Sequence, residues 1–148
     1  DLKRWHSIEI LSRKNGIKKF QDFVSHFGPQ LKLHVFHIAP LDQLDPTGEL
    51  SRRKLIIEVV SQFCAGNPKT FVMFEKRSGG NLKLDKRTLL ELRASGYEKV
   101  RMKSPEDASL LWLADALAYA YRRLLVNGDP TLLECFRNTV SIHRFSRC

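Results

Sequence analysis

From Gly16 to Arg137, stretches with apolar residues at helical spacing alternate with short β-rich runs, and Gly or Pro stands at most of the junctions. This alternation constrains the fold more than any other property of the chain. Strands separated by helices pair in parallel, and a parallel sheet needs helices to cover it. "GIKKFQDFVSHFGP" places Ile17, Phe20, Val24 and Phe27 on one helical face and stops at Gly28-Pro29. "LKLHVFHIAP" reads as a strand before Pro40. Asp45 as cap, with Pro46 at the first helical position, opens a second helix whose apolar side is Leu50, Leu55, Ile56, Val59, Val60 and Phe63, up to Gly66. "KTFVMFE" reads as a buried strand ending at Glu75, with "KRSGGN" as a flexible turn after it.

A third helix is predicted over about Leu84 to Ala94, with Leu89, Leu90 and Leu92 inward and Gly96 as its stop. "YEKVRMK" is a short charged strand near a sheet edge. Ser104 then caps a long helix from Pro105 to Asn127-Gly128, with acids in its first turn. Asp129-Pro130 starts a short helix to about Arg137, and "TVSIHRF" reads as a final strand or an extended tail. The whole predicts one α/β domain with a largely parallel sheet flanked by helices.

A chain of 148 residues, 43% of them hydrophobic, can bury a substantial core. Its longest apolar run, "LLWLADALAYAY", has twelve residues, where a membrane-spanning helix needs about 20. No export leader is visible, so no membrane association and a cytoplasmic location are the expectation. Three cysteines without a CxxC spacing favour neither a disulfide framework nor a zinc cage, and Cys64 and Cys135 read as core thiols. His34 and His37, three apart on a strand, face opposite sides and read as separate imidazoles. The 25 Lys and Arg against 16 Asp and Glu leave a net charge of +9, which attracts polyanions and makes nucleic acid the first candidate partner.

Two acids stand out. Asp115 is the one formal charge in "LLWLADALAYAY", and an ionised carboxylate in such a run needs water, a base or a site that uses its charge. Its neighbours one turn away, Leu111, Trp112, Ala118 and Tyr119, are apolar or aromatic, and Arg122 is two turns on, which weakens the wet-stripe and ion-pair explanations. Glu75 lies on the same sheet face as Phe71 and Met73, at the carboxyl end of its strand, where open α/β sheets bind ligands. A salt bridge to Arg77 or to an Arg of the next element is its plainer explanation. Asp85 is most simply a helix N-cap, with a catalytic role as the alternative. Walker, GxGxxG, GxSxG and HExxH motifs are missing, so nucleotide hydrolysis, dinucleotide binding, and serine or zinc hydrolysis lack support.

The order "FVMFEKR" strand, helix, short strand, "SPEDASLLWLADALAYAYRR" resembles a prokaryotic family of unknown function with a ribonuclease-H-like fold, in its actinobacterial type. "RWHSIEIL" and "GELSRRKLIIEVV" also have counterparts there. The resemblance implies a three-layer domain, a mixed sheet with helices on both faces, spanning residues 1–148. It also implies acids that hold magnesium ions for phosphodiester cleavage, since clustered carboxylates can hold two cations that clamp the attacking and leaving oxygens. Carried over by position, Glu75 is the later-strand ligand and Asp115 the helix ligand, with Asp85 as a further candidate. The family's opening strand with its Asp-Glu-Ser motif has no match, and Asp1 lies in no visible strand, so the expectation is either a fragment of a longer protein or a reduced homologue that has lost a metal ligand.

The leading expectation is therefore a magnesium-dependent nuclease, or a nuclease-like domain, acting on DNA or RNA. Glu75 and Asp115 are the catalytic and metal-binding candidates. Arg52, Arg53, Arg77, Lys86 and Arg87 are the candidate phosphate contacts, although Arg52 and Arg53 read equally as an exposed helix face. The rival expectation is a non-catalytic nucleic-acid-binding subunit. A third is a protein-interaction domain or homodimer using the aromatic helix around Trp112, Tyr119 and Tyr121.

Overall fold

Helices and strands alternate in the computed structural model, which describes residues 7–27, 31–38, 44–136 and 140–145. In chain order they are α1 (Ser7–Leu11), α2 (Gly16–Ser25), β1 (Leu33–Ile38), α3 (Glu49–Cys64), β2 (Val72–Glu75), α4 (Gly79–Ala94), β3 (Val100–Lys103), α5 (Ser109–Asn127) and β4 (Val140–Phe145). Single turns of 3-10 helix lie at Pro105–Asp107 and Leu133–Cys135. The fold is mixed α/β. The described strands form two two-stranded sheets, β1 with β4 and β2 with β3. The chain divides into two units, residues 1–35 with 105–142 and residues 36–104 with 143–148.

In the first unit, α5 presents Leu113, Ala116, Leu117, Ala120 and Tyr121 as a buried stripe at helical spacing. Phe20 and Val24 of α2, Ile10 of α1, Leu33 and Val35 of β1, and Leu132 and Phe136 complete that core. The Phe20 and Phe136 rings meet edge to face at 6.1 Å. Ala116 and Ala120 are completely buried, and their small side chains let neighbouring elements come close to the α5 backbone. Gly128 ends α5 in the left-handed conformation at φ 64°, as the sequence predicts, and its N–H donates to the Leu124 carbonyl.

The second unit is built around a β2–α4–β3 crossover whose strands pair in parallel, Val72 opposite Val100 through to Glu75 opposite Lys103. Alternation sends Val72, Phe74, Val100 and Met102 to one face, where they pack with Ile56, Ile57, Val60 and Cys64 of α3 and Leu89 and Leu92 of α4. Both helices thus cover the same face of this sheet.

Several local expectations change. α4 starts at Gly79, so the glycines expected to form a flexible turn open the helix, and Asp85 sits in mid-helix instead of capping it. Asp45 does cap α3, but from a distance. Gly48 is the residue before the helix, and the buried Asp45 carboxylate reaches forward to accept from the Leu50 and Ser51 N–H groups and the Ser51 hydroxyl. Pro46 is not the first helical residue. Pro105 to Asp107 form a 3-10 turn, and α5 begins only at Ser109. Leu90, expected inward, is 64% exposed, because at about 100° per residue it lies about 160° from Leu92 and 100° from Leu89, which face the core only about 60° apart. The short helix expected from Pro130 reduces to one 3-10 turn. Cys64 is buried as expected, and Cys135 only partly so. The expected stops at Gly28-Pro29 and Pro40, the Arg137 helix end, and Asp1 and Cys148 lie outside the described residues.

Gly16, where α2 turns away from α1, has main-chain atoms of α1 packed close against it. A Cβ there would stand 2.6 Å from the Ile10 carbonyl oxygen and 2.7 Å from the Leu11 Cα, both main-chain atoms that cannot rotate away. Gly16→Ala is therefore expected to lower stability by about 1–3 kcal/mol, read as a lower midpoint in urea denaturation with an unchanged slope.

Candidate functional site

The predicted charged residues converge on α3 and α4. Glu49, Leu50, Arg52 and Arg53 from the first turns of α3 face Leu84, Asp85, Arg87, Thr88 and Glu91 of α4 across a cleft of about 350 Å³. Arg77, from the loop between β2 and α4, makes a double fork to two of these acids. Its Nη1 and Nη2 donate to the two Glu49 oxygens at 2.8 and 2.9 Å, and its Nε and Nη2 donate to the two Asp85 oxygens at 2.7 Å each. Arg52 approaches Asp85 from the other side at 3.2 and 3.4 Å. Asp85, 9% exposed, is thus bracketed by two guanidinium groups. Such paired, multiply hydrogen-bonded geometry is what makes burying a carboxylate tolerable.

The protonation balance follows from these contacts. Burial pushes the Asp85 carboxyl upward, but the hydrogen bonds from Arg77 and Arg52 and their charges outweigh it and leave the group below the usual carboxylate range. Glu49 is lowered first by its hydrogen bond from Arg77, against a smaller opposing effect of burial. Arg77 is held still more firmly in its charged form, by Glu49 first and then Asp85.

Towards solvent, Arg53 pairs with Glu91 across the two helices, with both side chains about half exposed. Arg87 lines the cleft and is exposed, and Lys86 is exposed beside it on α4. Three guanidinium groups, those of Arg52, Arg53 and Arg77, pair with the three carboxylates of Glu49, Asp85 and Glu91. Arg52 and Arg77 are committed to the interior network, whereas Arg53 and Arg87 lie at the rim and Lys86 on the outer face of α4.

The two acids singled out from the sequence have different surroundings. Glu75 ends β2, exposed, on the sheet face with Phe71 and Met73 and in register with Lys103, and that face is opposite the one α3 and α4 cover. Arg77, its expected salt-bridge partner, forks to Glu49 and Asp85. Asp115 lies half-buried on α5 in the other unit, where its Oδ2 accepts from the Ser7 hydroxyl at 2.8 Å and the Ser7 N–H at 3.2 Å. It thereby ties down the first turn of α1, an explanation outside the three that its helical neighbours suggest. Asp85 does not suit a magnesium ligand, because both oxygens already accept from guanidinium groups and a dication would meet their like charge. Among the described residues, no three His, Cys, Asp or Glu groups gather where they could share a metal ion.

Glu49, Thr88 and Glu91 were not singled out from the sequence. Their signal is helical spacing: Glu49 and Arg53 are four apart, and Leu84, Thr88 and Glu91 follow one face of a helix that begins at Gly79. No family model, curated protein or solved structure matches this chain.

Because Asp85 and Glu49 are more acidic folded than unfolded, their stabilisation is fully present above about pH 5 and is lost as the pH falls through their folded values. Arg77→Ala should cost about 1–3 kcal/mol at pH 7, less than for a fully buried pair because Arg52 still attends Asp85. The variant's loss should shrink towards pH 3. Urea denaturation at the two pH values checks both the size and the sign.

Proposed function

We propose that this chain is a nucleic-acid-binding α/β domain that holds the phosphate backbone along the α3–α4 cleft and the outer face of α4. The observation that carries the reading is the run of exposed cations on α4, Lys83, Lys86 and Arg87, of which Arg87 also lines the cleft. The charge distribution supports it. The second unit holds 15 of the 25 basic residues and 8 of the 16 acidic ones, so it accounts for seven of the nine net positive charges. Lys83, Lys86 and Arg87 form an exposed arc on α4, opposite the buried Asp85, Leu89 and Leu92. A basic arc on a rigid helix is suited to tracking phosphates without reading sequence. The interior fork of Arg77 and Arg52 keeps Glu49 and Asp85 neutralised, so they do not repel a polyanion.

The ribonuclease-H-like assignment is part of this proposal, supported by the order of acid-ending strand, helix, parallel strand and long helix. The magnesium-dependent nuclease remains a second reading, favoured by the exposed Glu75 at the carboxyl end of a parallel strand. Cleavage of a labelled oligonucleotide that requires magnesium and is lost in Glu75→Gln would establish it. A protein-interaction role for the aromatic helix has less support, since Tyr121 is buried in the first unit's core and the Trp112 indole donates to the Pro105 carbonyl. Among the described residues, no helix is long and apolar enough to cross a membrane.

Replacing Lys86 and Arg87 together by Ala should weaken oligonucleotide binding and make the slope of log affinity against log salt shallower by about 1.5–2. Fluorescence anisotropy at several salt concentrations measures this. Affinity that is independent of salt, or unaltered in the double variant, removes α4 as the contact surface.

A further inference from the structure

We infer that the outward face of α5 is a homodimer interface, on which two copies of the chain pair their α5 helices antiparallel about a two-fold axis at Ala118. The inference does not depend on the nucleic-acid reading, and it concerns a different face of α5 from Trp112, Tyr119 and Tyr121. Leu113, Ala116, Leu117, Ala120 and Tyr121 are buried in the first unit's core, and a helix of this kind ordinarily turns charged residues to solvent on its other side. On α5 that side is mostly apolar. At 100° per residue, Leu111, Ala114, Ala118, Arg122 and Leu125 fall within a sector of about 80°, with Asp115 about 20° beyond its edge. Ala114, Ala118, Arg122 and Leu125 are exposed, and Leu110, next to the sector, is 49% exposed, as is Leu125. Arg122 is the one charged residue within the sector.

The order of residues along this face points to a second copy as its occupant. Leu111 and Leu125 stand seven positions before and seven after Ala118, with Asp115 three before and Arg122 four after. Reversing the helix about Ala118 therefore sets Leu111 against the second copy's Leu125. It also brings Arg122 to within about 1.5 Å, along the axis, of the level of the second copy's Asp115. Both charged residues lie on the same side of Ala118, about 40° and 60° around the helix, so the two-fold axis brings them to the same flank of the interface. Each is able to take its counterpart. Arg122 makes no ion pair among the described residues, and Asp115 accepts from Ser7 through Oδ2, which leaves Oδ1 for a guanidinium. Ala114 and Ala118, at the centre, let two helices approach at the near end of the usual separation of about 8–10 Å. A face whose leucines and charges find their complements in its own reversed copy is what an isologous two-fold contact requires. A partner of unrelated sequence accounts for none of these symmetric spacings.

Sedimentation equilibrium of the full chain over about 1–300 µM tests this, with Ala118→Arg, Arg122→Glu and Ala118→Cys beside the parent protein. The parent mass is expected to rise with concentration from 17.1 kDa towards twice that value. Ala118→Arg places a charge on the axis and is expected to stay monomeric. Arg122→Glu sets a like charge against Asp115 and is expected to weaken association roughly 10-fold at low salt and less at high salt. In Ala118→Cys the new thiols of the two copies face each other, so mild oxidation is expected to yield a covalent dimer that the parent, with its three cysteines, does not form. Both positions are exposed, so each variant keeps the fold of the single chain, which circular dichroism checks. A parent that stays at 17.1 kDa throughout overturns the inference. So does a dimer that Ala118→Arg leaves intact, which assigns association to another surface, or one whose Ala118→Cys variant does not cross-link.

Discussion

The arrangement of the second unit turns on one guanidinium group. Arg77 comes from a loop, yet it donates four short hydrogen bonds to carboxylates on two different helices, Glu49 at the start of α3 and Asp85 in the middle of α4. The planar fork of Arg can grip two carboxylates at once, which a lysine ammonium cannot do with the same geometry. Arg52 adds a second cation to Asp85. The helices are thereby held at their polar ends by charge, while Val60, Cys64, Leu89 and Leu92 hold them by apolar packing further along. The cleft and its rim of Arg53 and Arg87 follow from these two fastenings.

In the first unit a polar contact has a comparable role. Asp115 accepts from both the hydroxyl and the backbone N–H of Ser7, and this ties α1 to α5 beside a core dominated by Phe20, Ala116 and Ala120. A carboxylate on the flank of an apolar helix is costly unless something satisfies it, and here a helix-starting serine does. The same residue that looks like a metal ligand in isolation has a sufficient structural reason to be acidic.

Charge in this chain is thus divided by role. Glu49 and Asp85 are neutralised by arginines of their own unit, Asp45 and Asp115 accept from backbone N–H groups and serine hydroxyls, and exposed cations lie on the outer face of α4. Association with a polyanion would draw on those cations without disturbing the core network, because Arg52 and Arg77 are already committed. Such a division is compatible with binding that is strong at low salt and indifferent to sequence.

Local rules reach a definite distance here. Apolar spacing alone places α2, α3 and α5, the two strands flanking α4 and the stops at Gly96 and Gly128, because those features depend on residues within one or two turns. The candidate cleft residues Arg52, Arg53, Asp85 and Arg87 are legible as charged positions on two helices. Their purpose is not, since Arg52 meets Asp85 33 positions away and Ser7 meets Asp115 108 positions away. The start of α4 is misread for a related reason: glycines have poor helix propensity, and helix formation there is carried by the Arg77 fork and the packing of Leu89 and Leu92. The sequence by itself determined the α/β class, the positive charge and the order of elements. Only the tertiary structure decided which arginine neutralises which acid and which cations remain at the rim, because ion pairing depends on distances that chain folding sets and local spacing does not contain.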